Sequence, residues 1–337
     1  MRTKILALTL VSVLLMTTVF LGADTLPASL TDQEFWRLIT DFSEPGGNFA
    51  FEMYMSNEET FQEILPELVR RVPAGGVYLG VAPEQNFTYI TALRPKLAFI
   101  IDIRRENMVE MLMYKALFEM SANRSEFLSK LFSRPLRSTI APQASVDQVF
   151  TALTPGSGSI PMLTQNVQAI KDRLQKTHGY ALTPRDLQTI DYIANLFFRG
   201  GPDAHLTTYG TNYRQLMRMT DGQGRNRNFL ASEPNYQFVR EMQLKNLIVP
   251  VVGDFAGPKT LRAVARYLQE HSAEVSVFYV SNVEEYIQSP AKTWTSYCRN
   301  IAALPINATS MFIRFGRGGR GSFLGPMPSF AASCLRQ

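Results

Sequence analysis

Asp102 stands 22 positions after Gly80, the spacing at which a strand, turn, helix, strand unit sets a carboxylate against the hydroxyls of a ribose. The residues between them agree with that geometry. An apolar run at 77–82 passes through Pro83-Glu84-Gln85-Asn86 into a short helix, and a second apolar run at 97–103 carries Asp102 near its end. A carboxylate in that place can accept paired hydrogen bonds from a diol or hold a substrate ammonium. The turn itself is a poor phosphate cradle, because it lacks repeated glycines and Pro83 removes an amide donor. No GxxxxGK[ST] run occurs anywhere, which disfavours an ATPase or GTPase of that class. The ligand expected is therefore free of phosphate, and S-adenosylmethionine is the example that fits. Gly80 permits one close backbone approach, while Asp102 and Glu84 supply carboxylates for the ribose and the ammonium. Asn86 in the same turn and Arg104 just past the second strand complete the binding group.

A second unit repeats the plan. An apolar strand at 247–252 leads to Gly253-Asp254-Phe255, a helix over 260–270, a strand over 275–280, and Ser281-Asn282-Val283-Glu284-Glu285-Tyr286. In an open parallel sheet, ligands bind outside the carboxyl ends of the strands where the winding reverses. That rule nominates Gly80 to Asn86, Asp102 to Arg104, Gly253 to Phe255, and Ser281 with Asn282. Asp254 and Tyr286 are the candidates for orienting a nucleophile. Transfer from a sulfonium depends mainly on in-line positioning, so no conspicuous base is required. The strand-end acids Asp102 and Asp254 can instead serve only as caps for the helices that follow them. Other chemistries have little support. The pattern G-x-S-x-G is absent, and Gly156-Ser157-Gly158 has no histidine to assist it. His178, His205 and His271 are scattered without metal-ligand spacing, so no metal is expected.

Continuous apolar strands separated by helices predict an α/β fold: a Rossmann-like, mostly parallel sheet with helices on both faces, plus N-terminal helices and a mid-chain insertion. Residues 24–76 read as a helical cap. One helix begins at Ser29 or Thr31, and a second runs over 57–71 with Phe61, Ile64, Leu65 and Leu68 on one face. Residues 77–316 form the α/β domain, with an insertion at about 133–232. Within it, Thr183-Pro184-Arg185-Asp186 is a well-formed helix start. Residues 203–230 read as a long loop. A strand over 310–315 suits the edge of the sheet, and 317–337 reads as an irregular tail.

The stretches GGVYLGVAPEQNFTYITALRPKLAFIIDIRREN (75–107), NLIVPVVGDFAGPKTLRAVARYLQE (246–270) and VSVFYVSNVEEYI (275–287) resemble an uncharacterised bacterial family with a methyltransferase-like Rossmann fold. The likeness runs from about residue 30 to 315. It implies a class I S-adenosylmethionine-binding architecture, with Gly80 and Asp102 at the positions of the ligand loop and the ribose acid. Two departures stand out. Ala82-Pro83-Glu84 replaces the further glycines of ordinary methyltransferases, and Gly253-Asp254-Phe255-Ala256, read as the exit of the fourth strand, is not the Asn/Asp-Pro-Pro-aromatic signature that holds a target amine.

Residues 1–4 are basic, 5–21 carry no charge, and Gly22-Ala23 follows, which is the layout of a signal peptide. Export with cleavage near Ala23 is the expected address. Retention as an uncleaved anchor, the one membrane association foreseen, and a cytosolic location are the alternatives. Removing 1–23 takes away Arg2 and Lys4 and no acid, lowering the net charge from +5 to +3. That balance is too mild to imply nucleic acid. The single Gly316-Arg317-Gly318-Gly319-Arg320-Gly321 run reads as a flexible connection, and the partner expected is a small molecule or protein substrate. Cys298 and Cys334 are too few for a disulfide scaffold and read first as unpaired thiols, although an exported chain can join them.

Overall fold

The computed structural model describes residues 24–81, 83–316 and 321–334, so the leader read over 1–23 lies outside the described residues. Among those described, no helix is long and apolar enough to cross a membrane. Six strands form one mixed sheet: β1 (Val77–Gly80), β2 (Leu97–Asp102), β3 (Ile248–Val252), β4 (Val275–Ser281), β5 (Ile306–Gly316) and β6 (Gly321–Pro326). Their order is β3-β2-β1-β4-β5-β6, with the first five parallel and β6 antiparallel to β5. Every residue of β1, β2 and β3 is buried. Their unbroken apolar runs are what a parallel sheet covered by helices demands.

The helices fall into two packed sets. Gln85–Leu93, Arg105–Glu119, Pro184–Gly200 and Glu233–Leu244 touch one another, while Asp32–Phe42, Thr260–Glu270 and Ala291–Ala303 form the second set. Helix Pro184–Gly200 starts as its sequence dictates. Thr183 accepts the Asp186 N–H and Asp186 reaches back to the Thr183 N–H. The Asp186 carboxylate also takes two 2.8 Å bonds from Arg105, which ties the mid-chain helices to the helix that follows β2. Pro250 has no N–H to donate, and it sits in β3, at the edge of the sheet. That edge is covered by the N-terminal segment: Ser43 Oγ accepts from Val252 N at 3.0 Å, and Glu44 N donates to Val252 O at 2.9 Å.

Several elements differ from the sequence reading. The helix expected over 57–71 is only Leu65–Arg71, because Pro66 belongs in a first turn and cannot sit in a helix interior. Residues 48–58 form neither helix nor strand, and this drawn-out, extended segment runs past the carboxyl edge of the sheet. The loop at 203–230 contains a short helix, Tyr213–Arg218, capped by Asn212. Gly253-Asp254-Phe255 follows the third strand in sequence, not the fourth, and the fourth ends at Ser281. β5 is internal, and the segment read as irregular tail supplies both the edge strand β6 and helix Met327–Cys334. Phe330 of that helix packs against Trp294, Tyr297 and Phe312. The two cysteines are not free: Cys298 and Cys334, 36 positions apart in sequence, form a disulfide with Cα atoms 5.5 Å apart.

Closing a loop of that length removes unfolded-state entropy equivalent to about 3–4 kcal/mol at room temperature. The Cys298→Ser, Cys334→Ser double variant should lose stability of that order, and dithiothreitol should do the same to the wild type. Denaturant midpoints with and without reductant check this; identical midpoints would show that the bridge contributes nothing.

Candidate functional site

β1, β2 and β3 step toward one edge of the sheet, and the chain then returns to place β4 on the other side of β1. A cavity of about 730 Å³ opens at the carboxyl ends of these strands. Its floor comes from the strand exits, including Asp102 at the end of β2 with Arg104 beyond it, Asp254 after β3, and Ser281 at the end of β4 with Asn282 beyond it. Its far wall is the extended segment, with Ser56, Asn57 and Glu58. An aromatic chain covers the opening: Tyr286 meets Phe49 edge-on at 5.0 Å, Phe49 meets Phe51 at 5.7 Å, and Phe51 meets Tyr209 at 6.4 Å. A polar floor beneath an aromatic roof suits a small molecule with both a hydrogen-bonding and an apolar side.

Of the residues nominated from sequence, Asp102, Arg104, Asp254, Asn282 and Tyr286 meet around this cavity. Gly80, Glu84 and Asn86 do not; they are turned into the protein. Asn86 is fully buried and staples the turn after β1, donating to Val81 O (2.7 Å) and Pro83 O (2.6 Å) and accepting from Tyr78 Oη (2.7 Å). A Cβ at Gly80 would collide with Asn86 Oδ1 and the Tyr78 ring, so the glycine makes room for that staple. The Glu84 carboxylate accepts the Ser56 N–H at 3.2 Å, holding the extended segment to the turn. Arg105, the neighbour of Arg104, is committed to Asp186.

Asp102 is 8% exposed and already engaged on both oxygens, Oδ1 by the Arg104 N–H (2.8 Å) and Oδ2 by Asn107 Nδ2 (2.9 Å). Burial pushes its pKa up to about 6 despite these bonds and the nearby Arg104 cation. Asp102 thus fixes the turn into the next helix, whose N-cap is Arg104, and also lines the cavity. Each carboxylate oxygen retains a second lone pair for a ligand hydroxyl. Arg104 Nη2 donates to Tyr54 Oη at 3.0 Å, with its guanidinium 5.0 Å from the centre of that ring. Asp254 Oδ1 closes a tight turn on the Ala256 N–H at 2.8 Å. Glu44 fills the anion position at the start of helix Thr260–Glu270, accepting Lys259 N (2.9 Å) and Thr260 N (3.0 Å). The place where such a helix would attract a phosphate is thus occupied from within the chain.

Glu58 was not foreseen. It is 2% exposed and receives Tyr279 Oη (2.8 Å) and Ser281 Oγ (2.5 Å) on Oε1, and Gln85 Nε2 (3.0 Å) on Oε2. Burial holds it above the ordinary carboxylate range, against the pull of those three donors. No local pattern marks it, since the hydroxyls that hold Oε1 lie 221 and 223 positions further along the chain. Among the described residues no group of three or more His, Cys, Asp or Glu side chains has a metal-binding arrangement.

The fold and cavity define an α/β protein whose candidate ligand site lies at the carboxyl edge of a mostly parallel sheet. The chain belongs to the family described as Domain of unknown function (DUF7790), whose model matches residues 53–149 and 202–324. Both segments contribute to the cavity floor, while the unmatched stretch between them holds helices Ile160–Asp172 and Pro184–Gly200. A search of curated proteins finds no match to the chain.

The buried acids predict an unusual pH dependence. Burial, only partly offset by backbone N–H groups, pushes the Glu84 pKa up to about 8 from 4.5. The folded state therefore binds a proton that the unfolded state has released across that window. Glu84 favours folding most at the acid end, and its contribution declines by about 1.4 kcal/mol per pH unit as pH rises through the window. Glu84→Gln should flatten this decline and make the protein more stable than wild type near pH 8. Melting temperatures from pH 5 to 9 test it, and parallel curves for the two proteins would refute it.

Proposed function

We propose that this protein binds a phosphate-free, nucleoside-type small molecule on a Rossmann-like, methyltransferase-like sheet, with S-adenosylmethionine the first ligand to test. The observation that carries this reading is Asp102, a buried carboxylate at the exit of β2 on the floor of a ligand-sized cavity beside the reversal of strand order. Strand order β3-β2-β1-β4-β5 supports the Rossmann-like description, and the sequence resemblance supports the methyltransferase-like one. Asp102 would take the ribose hydroxyls, and Asp254 and Asn282 would read polar groups at the neighbouring strand exits. When bound, the sulfonium supplies an electrophilic methyl group. The chain's own part is to position a nucleophile in line and exclude water beneath the roof of Phe49, Phe51 and Tyr286.

The fit is incomplete at one point. Gly80, which the ligand loop would need for close approach, is filled by Asn86. That observation, with the leader and the Cys298–Cys334 bridge, favours a second reading: an exported, non-catalytic protein that keeps the fold and binds another ligand or a partner.

Calorimetry of the mature chain with S-adenosylmethionine and S-adenosylhomocysteine separates the two. Under the first reading both bind, and Asp102→Asn weakens each by about tenfold or more, as expected for loss of a charge-assisted hydrogen bond. No heat from either at millimolar concentration would remove S-adenosylmethionine and leave the second reading.

A further inference from the structure

Five non-glycine residues among those described have a left-handed backbone. Four of them, Arg94, Ser133, Asn246 and Ser272, stand at helix C-termini, where that conformation is an ordinary way to stop a helix. The fifth, Ser281, has φ of +52° and ends a strand at the cavity floor. A strained serine persists where its surroundings fix it, and such positions gather at functional sites. Here the β4/β5 ladder also shifts register between Tyr279 and Ser281, an irregularity of the kind that re-aims a side chain. The result is a partly exposed serine that lines the cavity, with its Oγ hydrogen-bonded to the Glu58 carboxylate at 2.5 Å. Tyr279 and Gln85 fix the orientation of that carboxylate through one bond to each oxygen. The Ser281 bond helps satisfy the buried Glu58, and a hydroxyl at a strained strand exit beside an oriented base is also a working arrangement for acyl transfer.

We propose that Ser281 is a nucleophile activated by Glu58, acting on an ester or thioester whose acyl group is apolar. This rests on the cavity being a ligand site and not on S-adenosylmethionine being its ligand. Ser281 Oγ attacks the carbonyl carbon as its proton passes to Glu58, and the carbonyl π pair moves onto oxygen. Asn57 and Asn282 line the same cavity and carry amide donors for that oxyanion. Collapse breaks the bond to the alcohol or thiol, which leaves with the proton from Glu58. Water, deprotonated by Glu58, then hydrolyses the Ser281 ester, releasing the acid and returning the serine. The burial that raises Glu58 makes its carboxylate a stronger base than an ordinary one. The aromatic and aliphatic lining, from Phe49, Phe51, Ile287 and Phe315, is what selects an apolar acyl group.

The test is covalent labelling of the full mature chain with an alkyl fluorophosphonate, located by peptide mass spectrometry. The expected result is one adduct on Ser281, lost in Ser281→Ala, and slowed by about tenfold or more in Glu58→Gln. The wild-type labelling rate should rise with pH and reach a plateau once Glu58 is ionised. That profile decides the role of Glu58 even if Glu58→Gln does not fold. No adduct on Ser281 after hours at millimolar probe overturns the proposal, and so does a rate that follows hydroxide without a plateau. Calorimetry with S-adenosylmethionine has no bearing on either outcome, so the two readings fail separately.

Discussion

A carboxyl group taken out of water must keep its proton, find a cation, or collect hydrogen-bond donors, and this protein buries four at one end of its sheet. Glu58, Glu84, Asp102 and Glu110 meet that constraint in different ways. Glu58 and Asp102 are surrounded by donors, whereas Glu84 takes the Ser56 N–H from the extended segment. Neither oxygen of Glu110 has a hydrogen-bond partner among the described residues. Burial, and then the Glu84 charge beside it, hold it protonated far above the usual range. Arg104 lowers the pKa of both Asp102 and Glu110, so one cation serves two acids. The proton substitutes for the cations that are missing.

That arrangement determines where the extended segment lies. Ser56 docks on Glu84, and Glu58 docks on Gln85, Tyr279 and Ser281, so residues 56–58 are bound to the turn after β1 and to the end of β4. Phe49 and Phe51 are carried over the cavity by the same stretch of chain. The roof is therefore a consequence of the polar floor, because the segment that bears the aromatic rings is anchored by hydrogen bonds to buried acids. Apolar packing alone would leave its register free.

The α/β class, the apolar strands, the cap at Thr183 and the acid ending β2 were legible in the sequence because each is a local pattern of a few residues. Asp102, Arg104, Asp254 and Asn282 are nominated by a rule about strand exits, which needs only the ends of elements, and they line the cavity together with Tyr286. Glu58 escaped because its hydroxyl partners come from the far end of the chain. Gly80, Glu84 and Asn86 lie outside the cavity lining for a related reason. A glycine in a turn signals that something approaches closely, but not whether it is a ligand or, as here, an asparagine six residues on. The Cys298–Cys334 pair was equally out of reach, since it depends on helix Met327–Cys334 folding back against Ala291–Ala303.

The closed turn after β1 has a consequence for how any ligand is read. Opening it for a backbone cradle would break three hydrogen bonds of Asn86 inside the protein, each worth roughly 1 kcal/mol net and more if a buried group is left unpaired. Phosphate binding usually depends on such a cradle or on a free helix N-terminus, and Glu44 already occupies the N-terminus of the helix after β3. Under the proposed reading, recognition falls to side chains at the exits of β2, β3 and β4 and to the aromatic roof. A site of that kind discriminates by hydroxyls, amines and shape, and it has little to offer a polyphosphate.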